Sequence, residues 1–98
     1  MSTIKVTWTN TAKKQLKAIY DYYKIKSPQG AKNVKNDILK ASKEIVFTKQ
    51  YQKDEIEPDY WRIIVRHYKL VYTIEENSIY ILRIFDTRRD PSKQVKDK

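Results

Sequence analysis

Residues 60–90 read YWRIIVRHYKLVYTIEENSIYILRIFDTRRD, and the fold turns on whether this stretch is sheet. In residues 61–67, Trp61, Ile63 and Val65 alternate with Arg62, Ile64 and Arg66, the period of two that a half-buried strand imposes on its side chains. Residues 69–75 carry Leu70, Tyr72 and Ile74 on one face and Lys69, Val71 and Thr73 on the other, apolar enough on both for a central strand. Glu75, Glu76, Asn77 and Ser78 supply a polar turn. From residue 79 to 86, Tyr80, Leu82 and Ile84 oppose Ile79, Ile81, Arg83 and Phe85. Connections this short force an antiparallel meander. Matching the parities puts Leu70, Tyr72, Ile74, Leu82 and Ile84 toward the core with Ile63 and Val65. Arg62, Arg66, Lys69 and Arg83 then collect on the opposite face, with Arg88 and Arg89 where that face ends.

Upstream of the meander the period changes. Residues 4–9 alternate Ile4, Val6 and Trp8 with Lys5, Thr7 and Thr9, a short strand, and Asn10 and Thr11 follow as candidates to cap a helix. Ala12, Leu16, Ile19, Tyr20 and Tyr23 form one helical stripe that ends near Ile25. Ser27-Pro28 marks a break and a restart, because serine caps a new helix and proline is tolerated in its first turn. Ala31, Val34, Ile38, Ala41 and Ile45 then recur at helical intervals, with Leu39 and Val46 widening the stripe. So short a connection makes the helices an antiparallel hairpin. Residues 48–58 have no clean period and contain Asp54, Glu55 and Glu57; they read as the connection to the sheet, since Pro58 opposes a continuing helix. The expected fold is α+β in the order β-α-α-β-β-β, with the hairpin on one face of a mainly antiparallel sheet and the other face partly open.

Ninety-eight residues make one domain, with a frayed polar tail expected over residues 91–98. Without cysteine there are no disulfides or thiolate metal sites, and a single histidine gives no His-rich centre, so no metal and no cofactor is called for. No apolar run has membrane-spanning length and the first residues lack a signal-peptide core, so a cytoplasmic protein without membrane contact is expected. The formal net charge of +9 biases partners toward polyanions or an acidic protein. Yet the helical hairpin alone sets nine lysines against the three acids Asp21, Asp37 and Glu44, so the charge as a whole does not mark one binding face. The lone glycine excludes a phosphate-binding P-loop.

The element order, the strand with Trp8 before a capped helix, the Ser27-Pro28 break, the run WRIIVRHYKLVYTI and the exit FDTRRDP together resemble the RelE/ParE superfamily, the toxin halves of bacterial type II toxin-antitoxin modules. The likeness extends from about Ile4 to Lys93, and its most specific part is Tyr68-Lys69-Leu70-Val71-Tyr72 followed by an apolar strand and Arg88-Arg89-Asp90. The resemblance implies one of two activities. RelE-like members enter the ribosome and cut mRNA, whereas ParE-like members poison DNA gyrase and are not nucleases. It also implies a cognate antitoxin, acidic or amphipathic, that wraps the toxin in a hetero-oligomer.

Metal-free RNA cleavage needs a base for the 2′-hydroxyl, cations for the phosphorane and an acid for the leaving oxygen. By the resemblance, Arg62 and Lys69 fall where RelE-like nucleases carry basic residues, and Arg88 near their basic residue beyond the last strand. Those nucleases usually place a tyrosine or histidine shortly after it; here nothing after Tyr80 is either. His67 is the only imidazole and the remaining candidate base, although its place between two strands makes a turn residue the better reading. Tyr68, Tyr72, Trp8 and Trp61 read as packing residues, and Asp86 or Asp90 as partners that pin the arginines of the strand exit, worth ~0 to 1 kcal/mol if exposed. The expected target-binding set is Arg62, Arg66, Lys69, Arg83, Arg88 and Arg89, with Lys69, Arg88 and His67 as the catalytic candidates should the chain be a nuclease. Gyrase poisoning is the leading expectation and ribosome-dependent mRNA cleavage the second. A third is a basic binding module that is not toxic and keeps only antitoxin recognition.

Overall fold

A computed structural model describes residues 5–45 and 52–88. The elements run β1 (Lys5–Trp8), α1 (Asn10–Lys26), α2 (Pro28–Glu44), β2 (Gln52–Lys53), β3 (Trp61–Val65), β4 (Tyr68–Glu75) and β5 (Ser78–Asp86). They build one five-stranded sheet in the order β1-β5-β4-β3-β2, antiparallel except where β1 runs parallel to β5. The meander β3-β4-β5 is the one expected, and β2 is a two-residue addition in the segment read as a plain connection. Val46, Arg89 and the tail lie outside the described residues.

Both helices are amphipathic and lie on the same sheet face. Leu16 of α1 and Val34 and Ile38 of α2 pack with Tyr68, Leu70 and Ile84; Ala12 and Ile45 pack with Tyr72, Ile79 and Ile81. Ser27 serves both helices at once. Its backbone N–H closes α1 on the Tyr23 carbonyl, and its hydroxyl accepts from the Gly30 N–H at 3.0 Å to start α2. The cap of α1 is Thr9, one residue ahead of the two candidates. The reason is tertiary: Thr9 Oγ1 accepts from Ala12 N–H at 3.2 Å and donates to the Leu82 carbonyl at 2.9 Å, a bond that only its position at the end of β1 allows.

Leu82 also explains why the expected parity fails along β5. Val71 is opposite Arg83 and Tyr72 is opposite Ile81, so a β-bulge leaves Leu82 as the extra residue. One extra residue exchanges the faces of everything before it. Ile84 keeps its core position, but Ile79 and Ile81 replace Tyr80 and Leu82 on the helix side. Beyond Trp8, β5 has no strand on its outer side, and α1 supplies the missing partners: Gln15 Oε1 accepts from Ile84 N–H at 2.6 Å, beside the Thr9 bond to Leu82. Backbone groups at a half-buried edge must find such substitutes.

No helix among the described residues is long and apolar enough to cross a membrane.

Candidate functional site

Three of the sequence-selected cations do share the sheet face away from the helices. Arg62 and Arg83 lie opposite Val71 on its two sides, forming one row across β3, β4 and β5. Lys69 sits two residues along β4 on the same face, with Phe85 as its neighbour and its ammonium 5.8 Å from that ring. That face is not open. The acidic segment between β2 and β3 folds across it and sets one carboxylate on each cation: Asp54 Oδ1 at 2.6 Å from Lys69 Nζ, Glu57 Oε1 at 3.3 Å from Arg83 Nη1, and Glu55 Oε1 at 3.3 Å from Arg62 Nη2.

The covering segment is built rather than draped. Asp54 N–H donates to the Tyr60 carbonyl at 2.9 Å, Tyr60 N–H donates to the Glu57 carbonyl at 2.9 Å, and Glu57 N–H donates to Asp54 Oδ2 at 2.7 Å. Asp54 thus closes its own loop with one oxygen and takes Lys69 with the other. The Asp54 side chain is wholly buried and Lys69 is 7% exposed. A buried pair of this kind persists because each charge would be stranded without the other. The sequence displays both halves, since Asp54, Glu55 and Glu57 form an acidic group; their distance in the chain from Lys69 and Arg83 hides the pairing.

Arg66 departs from that face altogether. It occupies the turn between β3 and β4 with a φ of 57°, and its guanidinium reaches Asp37 of α2 through Nε at 2.8 Å and Nη2 at 2.7 Å. Side-chain parity stops applying where the chain leaves the strand. His67 completes the same turn, and its carbonyl accepts from both the N–H and the hydroxyl of Thr87, each at 2.8 Å.

At the strand exit a cation stays exposed. Asp86 ends β5, and Arg88 folds back on it: the Arg88 N–H donates to Oδ1 at 2.9 Å, Nε to Oδ1 at 3.2 Å and Nη2 to Oδ2 at 3.0 Å. The Arg88 side chain is 64% exposed. These hydrogen bonds hold the Asp86 carboxyl below its ordinary range and raise Arg88 further. Behind the pair lies a chain of rings that sequence reasoning did not connect. Tyr68 Oη donates to Tyr23 Oη at 3.5 Å, Tyr23 Oη is 3.5 Å from His67 Nε2, and the His67 and Tyr68 ring centres are 4.2 Å apart. Burial, then the Tyr23 hydroxyl, pushes the Tyr68 phenol upward, so it stays protonated at neutral pH. Tyr23 was visible only as one member of a helical stripe.

These positions divide the catalytic candidates. Lys69 points into the acidic cover on one sheet face, whereas Tyr68, its neighbour in β4, faces the helices and shares a groove with Arg88 and Asp86. Among the described residues no group of His, Asp and Glu assembles that could hold a metal ion.

Two grooves remain. One, of about 540 Å³, lies between β1 and the helical hairpin, lined by Val6, Trp8, Leu16, Tyr20 and Leu39 and edged by Lys13, Lys17 and Lys35. The other, of about 400 Å³, lies between α1 and the end of β5 under Arg88.

The family model for the ParE toxin of type II toxin-antitoxin system, parDE, matches residues 6–91. Among solved structures, the chain is similar to one described as "Chromosomal ParDE TA system from P. aeruginosa", with a TM-score of 0.76 at 23% identity over 88% of this chain and 98% of that one. At that identity the likeness is one of fold. No curated protein matches the chain.

Proposed function

Because this chain belongs to the ParE toxin family of type II toxin-antitoxin systems, we propose that it arrests growth by binding and poisoning DNA gyrase and that a cognate antitoxin neutralises it. The observation that carries the choice of target is the separation of Lys69 from Arg88. Cleavage of RNA without a metal requires base, acid and cations around one phosphate. Here the Lys69 ammonium is buried against Asp54, Arg88 lies toward the other sheet face, and the Tyr68 phenol beside Arg88 is pushed away from serving as a base. That arrangement favours binding over cleavage and argues against the ribosome-dependent nuclease.

The target contact in this reading is the strand exit, the exposed Arg88 with Arg89 next in the sequence, together with Tyr22 of α1, an exposed large apolar residue that lines the same groove. Arg62, Lys69 and Arg83 serve the fold instead. The antitoxin takes the groove beside Trp8: its apolar floor and lysine rim suit an acidic amphipathic segment, and β1 is the edge strand of the described sheet on that side.

A supercoiling assay with purified protein tests the target. Inhibition that is lost in Arg88→Ala is expected; intact supercoiling at stoichiometric excess of toxin would reject gyrase. Induced expression without antitoxin should stop growth, and unimpaired growth would point to a domain that keeps only antitoxin recognition.

A further inference from the structure

Among the described residues the groove under Arg88 has one cation and a largely apolar lining: Gln15, Ala18, Ile19 and Tyr22 from α1 face Ile84 from β5. Asp86 occupies the same groove and holds Arg88 by Nε and Nη2, with the Arg88 backbone N–H as a third tie. A two-point grip of this kind fixes the plane of a guanidinium as well as its position. The Nη1 edge makes no hydrogen bond among the described residues, and the side chain as a whole is 64% exposed. A long side chain that would otherwise sample many rotamers is thereby ordered before any ligand arrives, which removes part of the entropy cost of binding.

We infer that this groove is a recognition subsite for an acidic side chain next to an apolar one on the protein target, with Arg88 as its anion-binding group and Asp86 as the residue that positions Arg88. The inference rests on the reading of a protein target above and specifies the chemistry of its contact. A nucleic-acid strand is the poorer fit, because a phosphate backbone calls for a run of cations. Among the described residues of the lining Arg88 is the one cation, and its charge is already paired with the Asp86 carboxylate. A single carboxylate reached through the free edge, with an apolar neighbour over Ile19 and Tyr22, uses both features of the groove.

The test scores purified variants on supercoiling and the same variants on growth after induced expression, with circular dichroism and melting temperature as the check on folding. Arg88→Ala should weaken inhibition about tenfold or more. Asp86→Asn should match it within about threefold, and the double variant should be no worse than Arg88→Ala alone, since both act through one guanidinium. Asp86→Glu should recover part of the loss. The exchanged pair Asp86→Arg with Arg88→Asp should recover melting temperature without recovering inhibition, which a purely structural ion pair would not do. Ala18→Trp, at an exposed helix position, should fill the groove and abolish inhibition in a folded protein with the Asp86-Arg88 pair intact.

Additive losses, full potency of folded Asp86→Asn, or full potency of folded Ala18→Trp would each overturn the inference. So would tight binding of the wild-type chain to a short DNA duplex that disappears in Arg88→Ala, because it would make the ligand a phosphate. If the wild type arrests growth while supercoiling is unaffected, gyrase falls as the target and the same variants scored on growth still decide the subsite. If it does neither, both fall.

Discussion

At Lys69 the ammonium and the Asp54 carboxylate meet at 2.6 Å with almost no solvent on either side. Removing one partner strands the other, so Lys69→Met or Asp54→Leu alone should each cost about 3–5 kcal/mol, while the double replacement should recover the charge part of that loss and not the Glu57 N–H bond to Asp54. Urea denaturation of the three variants measures it. Asp86 makes the opposite case, a carboxylate held below its ordinary range mainly by the Arg88 hydrogen bond. The sign follows directly. A carboxyl with a depressed folded-state pKa adds stability that is complete above the unfolded-state value, about 3.9 for aspartate, and that disappears as pH falls through the folded-state value. Stability of the wild type should therefore fall below about pH 4 more steeply than that of Asp86→Asn, and the two curves should converge at the acid end. Urea denaturation across that range reads the difference. The Asp86-Arg88 pair is local in the chain, two residues apart, and was legible there; that Asp54 answers Lys69, 15 residues away, came only from the folding of the acidic loop onto the sheet.

The elements were legible wherever their period was continuous, and α1, α2, β4 and most of β3 needed nothing beyond hydrophobic spacing. Their ends were harder, because an end is decided by what it meets. Thr9 caps α1 and also donates to the carbonyl of Leu82, the residue left over at the bulge, whereas Ser27 caps α2 without a bond to the sheet. Ser27→Ala should thus cost about 1 kcal/mol for a lost cap. Thr9→Ala should cost roughly 2–3 kcal/mol, because a half-buried carbonyl loses its donor as well. Thermal denaturation of both variants checks the order, and equal losses would mean that the Leu82 bond contributes nothing. The bulge itself escaped reading for a plain reason. Residues 79–86 are apolar on both parities, so the alternation that would have exposed one inserted residue carries no contrast there.

Over the whole molecule, the pairing of Arg62, Lys69 and Arg83 with Glu55, Asp54 and Glu57 changes where the positive excess acts. The lysines of the hairpin remain on the solvent side, and among the described residues only Lys17 and Lys40 of the nine form ion pairs, with Asp21 and Glu44. Among the described residues the positive charge without an ion pair therefore gathers on the helical layer, which carries Lys13 and Lys35 at the rim of the groove of Trp8, more than on the sheet face. Association with an acidic antitoxin should slow by roughly tenfold from low to physiological salt. Lys13→Glu with Lys35→Glu should remove most of that dependence while Arg62→Ala leaves it intact. Stopped-flow rates at several ionic strengths provide the measurement, and a salt-independent rate would show that the lysine rim does not steer the encounter.

The sequence by itself determined the order of the main elements, the side of each helix that faces inward and the meander. All of these follow from periodicities and turn residues that act over a few positions of chain. The family was legible only as a likeness of motifs, from Trp8 to the exit FDTRRDP. Only the tertiary structure decided that the basic sheet face is closed by the chain's own acids, that Arg66 turns to α2, and that Arg88 comes to rest above a groove with Asp86 beneath it. Charge attracts through space and not along the chain. Lys69 and Asp54 are 15 residues apart and Arg66 and Asp37 are 29. Side chains that far apart have no fixed relation until the sheet and the hairpin have set the distance between them.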